Sequence, residues 1–166
     1  MISREQAMDA EPRTAIDLDF LMTLHAPGAG PPHQIDASLA IYRIGAEGWA
    51  KGPRITGRMI HPTADWLRIM PSGSFRVDAR MTVETDDGAL VYISYGGVIS
   101  LTRANFERMA AGQELTSADM YFLTAPVFQT SHEKYAWLNH VQALGKVVAV
   151  KGGAGSYVTY DVFAAR

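Results

Sequence analysis

The sequence predicts an all-β fold, an antiparallel β-barrel or sandwich of about eight short strands with one short helix. Three observations lead there. Apolar and polar residues alternate over short stretches along most of the chain, clusters of Gly, Pro and Asp separate those stretches at close intervals, and a single segment carries the caps and spacing of a helix. A parallel α/β sheet would need a crossover helix between successive strands, and the closely spaced strands here come with only one clear helix.

Composition supports one domain. The 166 residues can bury a sizeable core without disulfides or structural metals, and 48% hydrophobic, 19% charged and 10% aromatic residues are ordinary for a globular protein. Fifteen basic against seventeen acidic residues leave a formal charge of -2, so there is no positive field to draw nucleic acid or an anionic membrane. The absence of cysteine removes disulfides, thiolate metal ligands and cysteine nucleophiles together. The stretch from Met1 to Glu11 lacks the apolar centre of a signal peptide, and no run approaches the length of a membrane span. The expectation is a cytoplasmic protein with a polar tail over 1–13 and a single barrel domain over 14–166.

Along the chain, Thr14 to His25 alternates, with Ile16, Leu18, Phe20, Met22 and Leu24 on one face. The Pro- and Gly-rich segment Ala26 to Pro32 reads as a loop. Further strands are expected at Leu39 to Ile44, Arg54 to Ile60, Trp66 to Met70, Phe75 to Thr85 and Ala89 to Ser100. Thr102 as N-cap, a Leu101–Phe106 staple and Gly112 as C-cap define a helix over Arg103 to Ala111. Strands resume at Met120 to Phe128. A turn or short helix follows over His132 to Asn139, and the last two strands, Lys146 to Lys151 and Ser156 to Phe163, are joined by Gly152-Gly153-Ala154-Gly155.

The hairpin around Asp86-Asp87-Gly88 carries the most information. A two-residue loop would mix charged and apolar side chains on one face, because a slip of one residue exchanges the faces of a strand. A three-residue loop with Gly88 in the left-handed conformation separates them: Arg76, Asp78, Arg80, Thr82 and Glu84 join Leu90, Tyr92 and Ser94, opposite Val77, Ala79, Met81, Val83, Val91, Ile93 and Tyr95. The three-residue form is expected. The polar face is either a solvated outer wall or, turned inward, an acid/base cluster in which buried charges shift one another's acidity. Periodicity leaves both open.

Other motifs carry less. Histidines 25, 33, 61, 132 and 140 show no metal-ligand spacing, Gly152 to Gly155 leads into a strand rather than a helix, and no GxSxG elbow is present.

Five stretches together resemble a bacterial family catalogued as domain of unknown function 3237. They are Gly52-Pro53-Arg54-Ile55-Thr56-Gly57; Asp65-Trp66-Leu67; Asp78-Ala79-Arg80 running on through Glu84 to Tyr92; Tyr121 to Phe128; and Tyr135-Ala136-Trp137-Leu138-Asn139. The resemblance implies a small closed barrel similar to lipocalin-like and allene-oxide-cyclase-like barrels, and no particular chemistry. The family usually has arginine where this chain has Leu123 and commonly where it has Val127, which shifts the expected ligand from an anion toward a hydrophobic or aromatic molecule. The family's glycine-rich approach to the Asp-Trp pair is replaced here by His61-Pro62-Thr63-Ala64.

The expected function is a metal-free, cofactor-independent acid/base enzyme of isomerase, cyclase, hydratase or lyase type, acting on a small hydrophobic or aromatic molecule in the barrel. Asp78 is the leading base, Arg80 the holder of a carbonyl or oxyanion, Tyr92 a proton donor or acceptor, and Asp65 a second carboxylate. Arg54, Trp66, Glu84, Tyr121, Leu123 and Trp137 make up the substrate-binding set. A non-catalytic ligand-carrying barrel and a module that oligomerises through an apolar face, as in a homodimer, are the alternatives.

Overall fold

The computed structural model describes residues 14–166, so the expected tail over 1–13 lies outside the described residues. Among the described residues there are eleven strands: β1 (Leu18–Pro27), β2 (His33–Asp36), β3 (Leu39–Arg43), β4 (Trp49–Lys51), β5 (Thr56–Ile69), β6 (Phe75–Thr85), β7 (Leu90–Leu101), β8 (Glu114–Thr116), β9 (Met120–Gln129), β10 (Ala143–Lys151) and β11 (Tyr157–Ala165). Helix α1 (Arg103–Ala110) follows β7, and a 3-10 helix covers Glu133–His140. Eight strands close the barrel in the order β1, β4, β5, β6, β7, β9, β10, β11, every neighbouring pair antiparallel and β11 returning to β1. Strand β3 extends the ladder on the second half of β5, β2 lies on β3, and β8 lies on β10.

The central hairpin has the three-residue loop. Gly88 sits at φ 82, the Thr85 amide donates to the Ala89 carbonyl at 2.9 Å, and Arg80, Thr82 and Glu84 pair with Ser94, Tyr92 and Leu90. The apolar set of this hairpin faces the lumen, where Met81, Val83, Val91 and Ile93 are fully buried with Met22, Leu24, Met59, Val147 and Val162. The lumen is therefore a packed core. Each of these side chains contributes about 1.5–3 kcal/mol by leaving water.

Helix α1 starts and stops where its caps require. The Thr102 side chain accepts from the Asn105 amide at 3.2 Å, and Gly112 at φ 78 donates its amide to the Met109 carbonyl at 2.9 Å.

Three expectations are corrected. In β1 a bulge between Phe20 and Met22 reverses the alternation, so Leu21, Met22, Leu24 and Ala26 are buried while Ile16, Leu18 and Phe20 face outward, Phe20 edge-on to Phe163 at 5.9 Å. The two strands expected at Arg54 to Ile60 and Trp66 to Met70 are one strand, β5. Its register shifts between Ile60 and Ala64, where cis-linked His61-Pro62 offers no amide at Pro62 and the Thr63 hydroxyl donates to the Ile60 carbonyl at 2.7 Å. Strands β2, β4 and β8, three or four residues each, are additional to those expected.

Candidate functional site

The polar face of the hairpin is the outer wall of the barrel. Asp78 and Arg80 form an ion pair of 3.2 Å with side chains 53% and 47% exposed, Glu84 pairs with Arg58, and Tyr92 lies against solvent. None of the four lines the lumen, so of the two placements the sequence leaves open the structure has the solvated outer wall, and the inward acid/base cluster of Asp78, Arg80, Glu84 and Tyr92 does not form. The physical reason is that Met81, Val83, Val91 and Ile93 on the alternate positions fill the interior, and burial of hydrocarbon outweighs solvated ion pairs worth about 0–1 kcal/mol. Trp66 is also outward, with the Arg80 guanidinium 5.2 Å from its ring centre. Tyr121, Leu123 and Val127 occupy the outer face of β9, so the replacement of arginine at the last two does not shape an internal pocket.

Asp65 turns the other way. Its register partner on β6 is Ala79, fully buried, and on β3 it faces Tyr42. Burial pushes its carboxyl up to about 6, and the Asp78 charge adds to the rise; the Asp78 amide, donating to Oδ1 at 3.0 Å, works in the opposite direction. The carboxyl is largely withdrawn from water, although the residue keeps partial exposure. Three phenols feel its charge. Tyr95 on β7 and Tyr160 on β11 lie inside the barrel with rings 6.0 Å apart, edge to face, and burial raises both well above the ordinary phenol value; Tyr42 is raised less.

This cluster borders a small apolar pocket of about 70 Å³ at the end of the barrel beneath α1. Tyr42 and Leu67 bring it to Asp65, Phe122 brings it to Tyr160 at 5.3 Å between ring centres, and Phe106 and Met109 of α1 form its roof. The helix itself has no buried residue. It is held by Asn105 Nδ2 donating to the Asp119 carbonyl at 2.6 Å, by an Arg108–Asp119 ion pair of 2.8 Å, and by Phe106 stacking on Phe75.

The opposite end of the barrel holds a larger, open cleft of about 630 Å³ between the Gly52–Thr56 segment, the Asp86–Asp87 turn and the 3-10 helix. Here Arg54 and Trp137 of the expected binding set meet, the guanidinium 3.7 Å above the indole. Lys134, the Thr85 hydroxyl and the Tyr135 hydroxyl surround the Asp87 carboxylate and hold it below the usual carboxylate range. The cleft and the raised carboxyl are thus at different ends. Among the described residues no three of His, Cys, Asp and Glu come together as a metal site, and no helix is long and apolar enough to cross a membrane.

Residues 16–165 match the family described as a protein of unknown function, DUF3237. The chain belongs to the DUF3237 family. A UPF0311 protein of Rhodopseudomonas palustris is 33% identical over 91 residues, 55% of this DUF3237 chain and 60% of that relative; the chain spans about 55–60% of the length of the UPF0311 relatives it matches. A conserved protein of unknown function from the same genus and species has the same fold, with TM-score 0.82 and 25% identity over 93% of this chain and all of the other. A β-barrel-like protein of Acinetobacter baumannii superposes with TM-score 0.74, 26% identical over 95% of this chain and all of the other. A protein named hydroalkoxylation enzyme phnH, from Penicillium herquei, is 29% identical over 135 residues, 80% of this chain and 74% of its own.

Of the residues singled out from sequence, only Asp65 lies with the buried polar cluster of this DUF3237 barrel. Tyr42, Tyr95 and Tyr160 were missed. The signal was present at Tyr95, a tyrosine at the end of the apolar alternation Val91, Ile93, Tyr95: a phenol on a core face takes its hydroxyl inside with it.

Proposed function

We propose that this chain is an acid/base enzyme acting on a small, uncharged hydrophobic or aromatic molecule, with Asp65 as the group that moves the proton. The observation that carries the reading is the placement of one carboxyl, raised to about 6, behind an apolar pocket and beside buried phenols. A carboxyl with that value is about one tenth protonated at pH 7, so both its acid and its base form are available near neutrality. None of the pocket-lining residues carries a charge, which favours a neutral substrate over an anion.

The relative named for hydroalkoxylation supports the type of chemistry. Adding an alcohol O–H across a C=C bond requires a proton on one carbon and the loss of a proton from the attacking oxygen. Asp65 can give the first and take back the second, and so returns to its starting form. Tyr95 and Tyr160 keep their protons throughout and supply hydroxyl dipoles near the carboxyl. A space of about 70 Å³ does not hold an aromatic ring together with its substituents. Substrate entry therefore involves displacement of α1, which is fixed by a few polar contacts and one stacked ring.

The test is cyclisation of a panel of alkenyl phenols, followed by chromatography of the cyclic ethers. Wild-type protein is expected to form product and Asp65→Asn to lose at least about a hundredfold in rate. Full turnover by Asp65→Asn would overturn the proposal. A second reading, favoured by size alone, puts the ligand in the Arg54–Trp137 cleft; it predicts that Arg54→Ala, and not Asp65→Asn, abolishes activity.

A further inference from the structure

The sequence motifs Asp65-Trp66 and Asp78-Ala79-Arg80 are not accounted for by the mechanism above, which uses Asp65 alone. The geometry points to a clamp on the outer wall, made by Trp66, Asp78 and Arg80, that positions the Asp65 carboxyl on the inner wall. This inference rests on the proposed role of Asp65 and makes Asp78 and Arg80 positioning residues.

The contacts form a closed circuit. Asp65 and Trp66 are neighbours in the chain and project to opposite faces of β5. The Arg80 guanidinium covers Trp66 at 5.2 Å and pairs with the Asp78 carboxylate at 3.2 Å, and the Asp78 amide donates to Asp65 Oδ1 at 3.0 Å. The circuit lies where β5 most needs bracing. The β5–β6 ladder loses register between Ile60 and Ala64 and resumes at Ala64 opposite Arg80 and Asp65 opposite Ala79. Before that point the strand is tied to β6 through the Thr63 hydroxyl, which accepts from the Thr82 amide at 3.5 Å. Arg80, gripping Trp66 from the next strand, fixes the register at the first regular pairs. A guanidinium suits this work because its plane stacks on the indole while its edge reaches the carboxylate.

The clamp is also electrostatic. The groups on the inner face with Asp65 are Tyr42 from β3, Tyr95 from β7 and Tyr160 from β11, and the formal charges nearby are those of Asp78 and Arg80, which flank its register partner Ala79 on the outer face of β6. Asp78 disfavours ionisation of Asp65, and Arg80 is the cation paired with Asp78. Removing one or the other should move Asp65 in opposite directions.

The experiment is a carbon-13 NMR titration of the Asp65 carboxyl in the full-length protein, without substrate, alongside thermal unfolding to verify the fold. In Asp78→Asn, which keeps the backbone donor, the midpoint is expected to fall by about half a pH unit; in Arg80→Met it is expected to rise by a similar amount, and in Arg80→Lys to stay near the wild-type value. Unchanged midpoints in folded Asp78→Asn and Arg80→Met proteins would overturn the clamp, as would shifts of the same sign. Should Arg80→Met fail to fold, the isosteric Asp78→Asn decides by itself: a fall supports the clamp and no change refutes it. The readout is independent of turnover. A failed clamp therefore appears as a static midpoint, whereas a failed mechanism appears as an active Asp65→Asn protein.

Discussion

Replacing Asp65 by Asn should stabilise the protein at neutral and alkaline pH while removing the proposed activity. An unfolded chain releases the Asp65 proton near 3.8, whereas the folded protein holds it to about 6. Between these values the native state binds the extra proton, so stability attributable to this group falls as pH rises through the window and is flat above it. The gap of about two units, at about 1.4 kcal/mol each, corresponds to about 3 kcal/mol; partial exposure of the residue brings the expectation to about 2–3 kcal/mol. Asparagine is neutral and its carbonyl can still accept from the Asp78 amide. Urea unfolding of both proteins at pH 4, 6 and 8 checks this through the change in midpoint at constant slope. The variant should match wild type near pH 4 and exceed it by the full amount at pH 8. A variant less stable at pH 8, or a gain equal at all three values, would refute the assignment of a costly buried carboxylate.

The remaining predictions concern the frame around the site. Gly88→Ala should cost about 1 kcal/mol in the same urea assay, because an added methyl meets nothing within 4 Å and the penalty is the left-handed backbone alone. Gly57→Ala should cost about 3 kcal/mol or more and reduce soluble yield, since its Cβ would lie 2.4 Å from the Glu84 carbonyl oxygen and force β5 from β6. Tyr135→Phe removes a 2.9 Å bond to Asp87 and should cost about 1 kcal/mol near neutral pH. The Asp87 contribution, present above the ordinary carboxylate range, should be lost on acidification, so the Tyr135→Phe difference should shrink in acid.

The barrel was legible because its signals are local. Alternation in β6 and β7, Gly88 after two aspartates, and Thr102 before the helix each act within a few residues, and the hairpin register follows from them. The bulge in β1 was not legible, since Leu21 and Met22 are both apolar and either could continue the pattern; the choice is made by β11 across the seam. The site was legible only in part. Asp65 reads as one carboxylate among many until the fold sets it opposite Ala79 and brings in tyrosines from β3, β7 and β11, residues separated by as much as the whole barrel. The direction of the polar face was decided by the bulk of Met81 and Ile93, whose volume fills an eight-stranded lumen and leaves no place for Asp78 or Arg80.

The pairing of β1 with β11, from Leu18 opposite Ala165 to Pro27 opposite Tyr157, also bears on how the molecule is made. The first strand of the barrel to leave the ribosome finds its long partner only when the last one emerges. Until then β1 and β10 each present an open edge, and the intermediate needs protection from pairing with other chains. Removal of the final strand would leave that seam open permanently. Closing the ring requires pairing between the two ends of the barrel sequence, so refolding in vitro is expected to be slower than for helical proteins of this size.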